Sequence, residues 1–492
     1  MHTPTPEQQA IIDAAKGSVD NLLVNALAGA AKTTTLEMVC NTITDIPILS
    51  LAFNKRIADE MKKRLPTHVE ARTMNSLGHG VWAQAIARKL SVDPNKTIGI
   101  ARAIIKEIPK LKQDRYWDAL AEVLRWVRIA KRDGYVPPSW RSIARFHMDT
   151  EAWLSRYRDA PEDFMYQFID DILDRSISAA NAGGIDFDDQ IYMPVCFGGQ
   201  WPKFPLVLID EFQDLNELQH EMLSKLAVKR LIGVGDPWQS IYGFRGAKQN
   251  GMASAQERWN MRELTLSTTF RVPRLGVERA WFRVPHMRAR EGAPDGRVES
   301  LATWDASAIP DGAAIVCRNN APLFAVALKL LRQRRHVKLI GMDIGSGLVR
   351  MLKRLGPLDM SHQQMVDAID VWAMEQLRAE KNEETITEKA ECLKVLCAPL
   401  AAHWTLYEAI ANAEDLFKQN GPIQMLSGHK AKGLEWDTVF HLDPWRVPSR
   451  FTREGTEEWE QEQNVRYVIE TRFKNELFLI DTEGFVGTES CG

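Results

Sequence analysis

Two adjacent carboxylates in the middle of the chain could hold a metal ion and activate water. They are Asp210 and Glu211, and they directly follow the apolar run 206–209. Such a run is typical of a buried parallel strand, whose carboxyl end is where open α/β sheets bind ligands. One acid there could hold Mg²⁺ on a nucleotide while the next polarises the attacking water. The same residues also suit an ordinary strand-to-helix turn in which aspartate caps the helix.

A candidate phosphate-binding loop lies near the start of the chain, in 21–36. An apolar strand pattern leads there into a loop close to GxxxxGK[ST], which cradles phosphates on backbone N–H groups and a helix N-terminus. Alanine stands at both glycine positions, Ala26 and Ala31, and a left-handed backbone at the latter would cost roughly 1–2 kcal/mol. Alone, the loop could be an ordinary strand–turn–helix; paired with the acidic strand, it predicts a nucleoside-triphosphate site. Its expected residues are Ala28, Gly29, Ala30, Ala31, Lys32, Thr33 and Thr34.

A third functional segment is expected after another buried strand, at 231–235, which leads into Asp236. The loop beyond it mixes long polar side chains with aromatic rings. A loop that simply packs on its neighbour is the structural alternative, but this density at a strand's carboxyl end favours function. The side chains concerned are Gln239, Tyr242, Phe244 and Arg245.

The segment from about 81 to 182 is predicted to be a helical insertion in the first α/β domain. It combines tryptophans with basic clusters such as 125–132. Aromatic and basic residues together suit single-stranded nucleic acid. Tryptophan at helical spacing is more often core, so a core position is expected for most of them. The tryptophans are Trp82, Trp117, Trp126, Trp140 and Trp153.

Composition indicates a multidomain globular protein of 492 residues, with 45% hydrophobic and 26% charged residues. No apolar run is long enough to span a bilayer, and the N-terminus lacks the layout of a signal peptide. The six cysteines are scattered without CxxC spacing, which fits a reducing cytosol. A net charge of −3 does not advertise nucleic-acid binding, although local basic grooves remain compatible with it.

A second α/β domain is expected from about 264 onward. Between 345 and 421 the chain is predicted to be helical and charged, and the run 378–389 is interpreted as a solvated face. The coarse architecture is therefore two stacked α/β domains with an insertion in each. The strands of the second sheet are expected within 313–320, 337–343, 423–443 and 476–481.

The complete set of motifs resembles superfamily 1 DNA helicases of the UvrD/Rep type. The motifs are TPEQQAII, AGAAKTT, LAFNK, TMNSL, IDFDD, DEFQD, GDPWQSIYGFRGA, TFR, GHKAKGLEWD and YVIETRFK. They look most similar to those of the F-box DNA helicase branch, although no F-box is apparent. The resemblance implies an α/β fold of two RecA-like parallel-sheet domains, the P-loop NTPase type, with helical insertions.

The resemblance also implies roles in ATP hydrolysis. Lys32 reaches the phosphates, Asp210 and Thr33 hold Mg²⁺, and Glu211 is the catalytic base. Arg271 and Arg472 are arginine fingers that the second domain supplies to a nucleotide held by the first. The other implied nucleotide contacts are Gln8 on the adenine edge, Phe270 stacked on adenine, Gln239 near the γ-phosphate, and Glu435.

For DNA, the resemblance implies contacts from several loops, with Gln213 linking them to the nucleotide. The insertion 345–421 is much shorter than the second accessory domain of UvrD or Rep, so the rotation associated with that domain is not expected. The implied DNA-binding residues are Phe53, Asn54, Thr73, Asn75, Tyr242, Phe244, Arg245, His429 and Lys430.

The expected activity is ATP- and Mg²⁺-dependent movement along single-stranded or tailed duplex DNA, with a 3′→5′ direction implied by the resemblance alone. Two rivals are a DNA-stimulated ATPase that unwinds poorly without a partner, and a nucleotide-dependent sensor subunit of a repair or defence complex. A protein partner is left open and unidentified, no membrane is expected, and the expected location is cytoplasmic in a bacterium or phage-infected cell, or nuclear in a eukaryote. The expected domains are 1–84 with 183–263 (first RecA-like), 85–182 (helical insertion), 264–344 with 422–492 (second RecA-like), and 345–421 (short helical insertion).

Overall fold

The chain forms two compact units. The computed structural model describes residues 3–52, 55–157, 161–241, 251–341, 343–378, 382–400 and 403–486. One unit comprises Met1–Ala26 and Ala31–Leu266; the other comprises Leu27–Ala30 and Ser267–Gly492. No helix in these described ranges is long and apolar enough to cross a membrane.

The first unit contains a six-stranded parallel sheet in the order β3-β2-β6-β7-β1-β8, and a short parallel pair β4-β5. Strands β2 and β6 are almost wholly buried, as expected for a parallel sheet that helices cover on both faces. The strands are β1 (Asn21–Ala26), β2 (Ile48–Ala52), β3 (Val69–Thr73), β4 (Ser91–Val92), β5 (Gly184–Ile185), β6 (Phe204–Ile209), β7 (Ala227–Gly235) and β8 (Met261–Leu266).

Strand register explains why the expected site residues converge. Asn25 of β1 pairs with Gly235 of β7, and Ile209 of β6 pairs with Gly233 of β7. The three parallel strands therefore end at one edge of the sheet. The helices of this unit are α1 (Pro6–Gly17), α2 (Lys32–Thr42), α3 (Lys55–Arg64), α4 (Met74–Ala85), α5 (Lys96–Glu107), α6 (Lys110–Asp133), α7 (Thr150–Leu154), α8 (Asp163–Asn181), α9 (Asp189–Phe197), α10 (Glu217–Leu226) and α11 (Gly251–Trp259).

The helical segment between β4 and β5 has its own apolar core, formed mainly by α5, α6 and α8. Trp126 and Trp153 lie in that core, and Trp82 is buried against the sheet. These positions confirm the prediction that most tryptophans here are structural. Trp140 is half-buried, and Trp117 is exposed.

A buried ion cluster of Lys96, Lys131, Asp186 and Asp189 joins α5 and α6 to the segment that follows β5. Lys131 Nζ lies 2.7 Å from both Asp186 Oδ2 and Asp189 Oδ1, and Lys96 Nζ lies 2.6 Å from Asp189 Oδ2. Each aspartate also accepts the other's backbone N–H at 2.9 Å. The motif IDFDD is therefore tied to the helical insertion by paired buried charges.

The second unit contains a six-stranded parallel sheet in the order β11-β16-β15-β12-β14-β13, and a short parallel pair β9-β10. The expected strands at 313–320, 337–343, 423–443 and 476–481 are confirmed. The strands are β9 (Thr268–Thr269), β10 (Arg288–Ala289), β11 (Arg297–Leu301), β12 (Ala314–Cys317), β13 (Val337–Leu339), β14 (Ile423–Ser427), β15 (Trp436–Leu442) and β16 (Phe473–Ile480).

Helices of the segment between β13 and β14 share one apolar core with the sheet. Ile315 of β12, Leu393 and Leu396 all belong to this core and are fully buried or nearly so. The segment is therefore packed into the second unit. The helices of this unit are α12 (Arg274–Ala280), α13 (Asn320–Arg332), α14 (Asp343–Leu352), α15 (His362–Arg378), α16 (Glu383–Cys397), α17 (Leu406–Lys418), α18 (Gly428–Ala431) and α19 (Glu457–Glu470).

The prediction of a solvated face at 378–389 is wrong for part of that run. Ile386 is 4% exposed, and Glu384 accepts a hydrogen bond from Arg318 Nη2 at 2.9 Å. Glu388 accepts one from Asn320 Nδ2 at 2.6 Å. The charged pattern is misleading here because Arg318, directly after β12, is largely buried and needs anionic partners. Residues 379–381 lie outside the described ranges.

Candidate nucleotide site and nucleic-acid motifs

Four predicted site residues meet at the carboxyl end of β6 in the first unit. Lys32, the first residue of α2, places its Nζ 3.3 Å from Glu211 Oε1. Thr33 Oγ1 donates to Asp210 Oδ2 at 3.4 Å. The loop with Lys-Thr and the strand with Asp-Glu, which are far apart in sequence, thus face one another as expected from parallel strands ending at one edge.

The electrostatics of these residues suit a bound cation. Burial raises the pKa of Asp210 to about 6, with the neighbouring charge of Glu211 adding to the shift and Lys32 opposing it. Burial lowers the pKa of Lys32, but Glu211, Asp210 and Asp236 raise it, and the net shift is upward. Asp210 remains hard to ionise despite the nearby lysine. A divalent cation beside its oxygens would lower the free-energy cost of ionising this buried carboxyl group. The carboxylate of Asp210 and the hydroxyl of Thr33 therefore fit Mg²⁺ ligation.

A chain of hydrogen bonds runs from Glu211 to Gln239. Gln213 Nε2 donates to Glu211 Oε2 at 2.5 Å, while Gln213 Oε1 accepts the backbone N–H of Asp236 at 3.0 Å. Gln239 Nε2 then donates to Asp236 Oδ2 at 2.6 Å. A Cβ at Gly235 would lie 2.3 Å from Gln213 Oε1, so this route needs glycine there. No role was predicted for Asp236. Its position directly after β7, which is parallel to β6, would have placed it beside Asp210 and Glu211.

Two residues of the site other than glycine have left-handed backbone conformations. Ala31 has φ 57° and ψ 42°, and Glu211 has φ 55° and ψ 43°. Ala31 therefore has the left-handed backbone that the glycine position of the loop pattern led us to consider. Left-handed backbone in a residue other than glycine costs energy and occurs preferentially at functional sites. Asp210 Oδ1 accepts the Glu211 N–H at 2.9 Å, which helps to hold the strained turn.

Gln8 lies beside α2 and is only 3% exposed. Its Oε1 accepts the Thr5 N–H at 3.0 Å, and its Nε2 donates to Thr35 Oγ1 at 3.1 Å. The same Thr35 hydroxyl donates to Ala31 O at 3.0 Å. A primary amide has two N–H donors and two acceptor lone pairs, so these contacts use half of its capacity. Gln8 is thereby linked to the phosphate loop through a single threonine. Thr34 is half-buried in the first turn of α2.

The loop residues 27–30 are grouped with the second unit, where backbone contacts fix them. Phe270 N donates to Gly29 O at 2.8 Å, and Ala28 N donates to Tyr467 Oη at 2.9 Å. Gly29 has φ +73°, and a Cβ there would lie 2.6 Å from both Arg271 Cβ and Thr269 Oγ1. Glycine is therefore required at position 29 for both conformation and space. Ala30 is buried, and its N–H donates to Leu27 O at 3.0 Å.

Arg271 and Arg472, the predicted fingers, differ in their surroundings. Arg271 Nε donates to Glu435 Oε2 at 2.6 Å, and Lys474 Nζ lies 2.9 Å from the other oxygen of that carboxylate. Burial raises the pKa of Glu435, but Lys474 and Arg271 lower it, and the net shift is downward. Arg472 is 1% exposed, and its Nε donates to Val468 O at 2.9 Å. Phe270 is 45% exposed.

The described DNA-motif residues occupy strand ends and short helices. Thr73 Oγ1 accepts the Ser76 N–H at 3.1 Å and caps α4. Asn75 Nδ2 donates to Phe187 O at 2.8 Å, which ties this motif to IDFDD. His429 and Lys430 lie in α18 directly after β14, and Lys430 is exposed. The predicted residues that lie outside the described ranges are Phe53, Asn54, Tyr242, Phe244 and Arg245.

Comparison with known proteins agrees with the motifs and the two sheets. Residues 5–260 match the UvrD/REP helicase N-terminal domain, and residues 361–484 match the UvrD-like helicase C-terminal domain. These matches, with the two parallel sheets, confirm the predicted fold of two RecA-like domains.

Several named helicases are similar to this chain. F-box DNA helicase protein 1 of Schizosaccharomyces pombe is 24% identical over 99% of the chain and 58% of its own length. DNA helicase II of Haemophilus influenzae is 25% identical over 51% of the chain and 36% of its own length. DNA helicase IV of Escherichia coli is 27% identical over 51% of the chain and 43% of its own length. The chain thus spans less than two thirds of each of these relatives. On the two domain matches, it belongs to the UvrD/REP helicase family.

Proposed function

We propose that the protein is an ATP- and Mg²⁺-dependent DNA helicase or translocase that moves along single-stranded DNA, in the 3′→5′ direction. The observation that carries the proposal is the convergence of Lys32, Thr33, Asp210 and Glu211 at one strand edge. A protein that only binds nucleotide needs a phosphate loop but no carboxylate placed to activate water. Family membership supports DNA as the polymer on which the hydrolysis acts.

Each residue at the edge has a defined task in hydrolysis. Lys32 neutralises phosphate charge, and Glu211 accepts the proton of the attacking water. Asp210 and Thr33 hold Mg²⁺, which supplies charge neutralisation at the phosphates when bound. Arg271 and Arg472 stabilise the charge that develops in the transition state, a contribution of about 10³–10⁵ in rate for arginine fingers generally.

The remaining nucleotide contacts are assigned by the resemblance and by exposure. Gln8 offers the unused half of its amide to the adenine edge, and the exposed Phe270 ring stacks on the base. Glu435 contacts the nucleotide beside Arg271, with which it pairs. The backbone of 28–34 cradles the phosphates through its N–H groups.

Coupling to DNA is assigned to the hydrogen-bonded chain from Glu211 through Gln213 and Asp236 to Gln239. A shift of the Gln239 loop would move Gln213 and hence the carboxylate of the base. DNA contacts are assigned to the first turn of α4, which carries Asn75, and to α18, which carries Lys430. The further proposed contacts are Phe53, Asn54, Thr73, Tyr242, Phe244, Arg245 and His429.

We assign these tasks to four segments, with the first RecA-like domain holding the nucleotide and the second supplying the arginines. The insertion 345–421 packs into the core of its unit, which supports a fixed part and not a rotating accessory domain. The proposed segments are 1–84 with 183–263, 85–182, 264–344 with 422–492, and 345–421.

The decisive experiment measures steady-state ATP hydrolysis with and without single-stranded DNA. We expect strong stimulation by DNA in the wild type and its loss in Glu211→Gln, which keeps the shape but not the basicity of the side chain. Glu151→Gln, an exposed position of α7, is the matched control and should hydrolyse at the wild-type rate. Little turnover by the wild type in either condition would contradict the motor.

Strand displacement then tests unwinding and direction. We expect the protein to open duplexes with a 3′ single-stranded tail and to leave those with a 5′ tail intact. Translocation without strand displacement would identify a DNA-stimulated ATPase that unwinds poorly alone.

A nucleotide-dependent binding subunit is the second candidate function, and the strained alanine in the phosphate loop favours it. Ala31 adopts a backbone that glycine adopts without strain. If this strain suppresses turnover, the protein would still bind DNA in a nucleotide-dependent manner. Measurement of single-stranded DNA affinity with and without a non-hydrolysable ATP analogue separates this sensor from an inactive protein.

A further inference from the structure

A buried carboxylate, Glu470, sits among three basic side chains in the second unit. It is the last residue of α19 and is 1% exposed. Arg279 Nη2 donates to Glu470 Oε1 at 3.0 Å, and Arg279 Nε lies 2.7 Å from Oε2. Arg466 Nε donates to Oε1 at 3.2 Å, and His441 Nδ1 lies 3.4 Å from the same oxygen. We call these four residues the Glu470 hub.

The Glu470 hub connects three elements of the second unit. Arg279 comes from α12, His441 from β15, and Arg466 from the last turn but one of α19 itself. A carboxylate that accepts bonds from several directions fixes the spacing between the elements that supply them, because side chains paired inside a protein cannot rearrange cheaply. The hub thus joins α12 and β15 to the end of α19.

Both proposed arginine fingers lie next to an end of a helix that the junction joins. Two residues separate Arg271 from the start of α12 at Arg274, and Thr471 alone separates Arg472 from the end of α19. Thr471 is fully buried and donates to Tyr467 O at 2.8 Å, so it offers little freedom between the hub and the second finger. A displacement of either helix would therefore move an arginine.

Packing next to Arg472 independently shows that α12 is held close. A Cβ at Gly276 of α12 would lie 2.5 Å from Phe473 Cζ, and Phe473 directly follows Arg472. The helix that follows one finger therefore contacts the residue beside the other. The contact between Gly276 and Phe473 and the ion pair between Arg279 and Glu470 therefore both hold α12 close to the end of α19.

The charge of Glu470 is stable over the working pH range. Burial raises its pKa, but His441, Arg279 and Arg466 together lower it to about 2. The carboxylate therefore stays ionised at neutral pH, and the hub acts as a permanent structural junction.

We propose that Glu470 is a positioning residue that sets the distance between Arg271 and Arg472. Glu470 lies within the motif YVIETRFK, but the resemblance assigned a role only to Arg472 in that motif. The inference rests on the proposed ATP hydrolysis, because a finger has a task only where phosphoryl transfer occurs. Glu470 touches neither nucleotide nor DNA in this proposal and acts through the two helices.

The test compares DNA-stimulated ATP hydrolysis in Glu470→Gln, in Arg279→Gln and in the double variant. We expect kcat to fall about tenfold in each, since small misplacements of transition-state groups cost up to about 10²-fold. The KM for ATP and the affinity for single-stranded DNA should stay within about twofold, because ground-state contacts are intact. The double variant should lose about tenfold and not a hundredfold, because both substitutions break one junction.

Glu458→Gln is the matched control, since it makes the same change at an exposed position of the same helix. It should retain the wild-type kcat, and thermal unfolding verifies that each variant is folded. If Glu470→Gln does not fold, Arg279→Gln decides alone, because Arg279 is partly exposed and its loss leaves the carboxylate with two partners.

The outcomes separate this inference from the proposed function. A wild type that does not hydrolyse ATP overturns the proposed function. A wild type that hydrolyses ATP, with folded variants that keep kcat within about twofold, overturns the positioning role alone. A loss that appears in KM with kcat unchanged also overturns it, because the hub would then support substrate binding.

Discussion

Ala31 carries a left-handed backbone at the start of α2, where its methyl group makes that conformation costly. We expect Ala31→Gly to raise the free energy of unfolding of the first unit by about 0.5–1 kcal/mol. The expected gain is smaller than the roughly 1–2 kcal/mol strain because glycine also adds entropy to the unfolded chain. Urea denaturation followed by circular dichroism measures the change.

Ala30→Gly provides the control, because it makes the same substitution one residue earlier without a positive φ. There, only the unfolded-state entropy and a buried methyl group are affected, so stability should fall by about 0.5–1 kcal/mol. A stabilisation of equal size in both variants would show that the backbone strain at position 31 is not responsible.

Asp210 gives the second residue-scale prediction, which concerns pH. Its pKa of about 6 in the folded protein exceeds the value of about 3.9 in unfolded chains. The folded state therefore binds more protons between these values, and stability contributed by the protonated form is lost as pH rises through about 6. Without Mg²⁺ or nucleotide, Asp210→Asn should exceed the wild type in stability by up to about 3 kcal/mol at pH 7.

The same comparison at pH 4 supplies the control for Asp210, because the advantage of asparagine should disappear there. Asparagine keeps an acceptor for the Glu211 N–H, so the difference between the two pH values isolates the charge. Equal unfolding free energies of the two proteins at pH 7 would contradict the raised pKa.

Residue types and spacing predicted that Lys32, Thr33, Asp210 and Glu211 come together. Lys32 and Glu211 could be paired in advance because a phosphate loop and an acidic strand end have recognisable patterns. The left-handed backbone of Glu211 and the hydrogen bond from Gln213 to Asp236 could not, since both depend on how β6 and β7 lie beside each other. Side-chain pairing across strands has no signature within either segment.

At the scale of elements, the buried ion cluster holds α5 and α6 to the IDFDD segment. We expect Lys131→Met to lower the free energy of unfolding of the first unit by about 3–5 kcal/mol, because it leaves aspartates buried without their main partner. Lys112→Met, an exposed position of the same helix, should change stability by no more than about 0.5 kcal/mol. Similar small effects in both would show that the buried aspartates find water or other partners.

The carboxyl ends of β6 and β7 were predictable, whereas their first residues and the partners of charged helices were not. The apolar runs ending at Ile209 and at Gly235 correctly indicated strands because buried parallel strands need continuous apolar sequence. The run containing Glu384 looked solvated because charged residues usually are. Its contact with Arg318 arises only when β12 and α16 are packed together.

At the scale of the whole molecule, the segment between β13 and β14 shares its core with the second sheet. We expect Leu396→Ala in α16 and Ile315→Ala in β12 each to lower the free energy of the same unfolding transition by about 2–5 kcal/mol. Differential scanning calorimetry resolves whether one transition moves. A new early transition in Leu396→Ala, with that of Ile315→Ala unaffected, would indicate a separately folding module.

The division into two compact units was foreseeable from length and from two sets of strand patterns. How firmly each insertion is joined to its sheet was not, because attachment depends on buried contacts between distant segments. Ile386 and Leu393 illustrate this, since both are buried in a stretch whose composition is strongly charged.

Helix α19 can also be considered as a mechanical part. Near its middle, Glu462 accepts hydrogen bonds of 2.8 Å and 3.0 Å from Arg318 Nε. Arg318 Nη2 also donates to Glu384 of the insertion. At its end, Glu470 accepts hydrogen bonds from Arg279 and Arg466. A displacement of the insertion would therefore act through α19 on Glu470, which precedes Thr471 and Arg472. Movement of the insertion should therefore reach Arg472, which follows Glu470 by two positions.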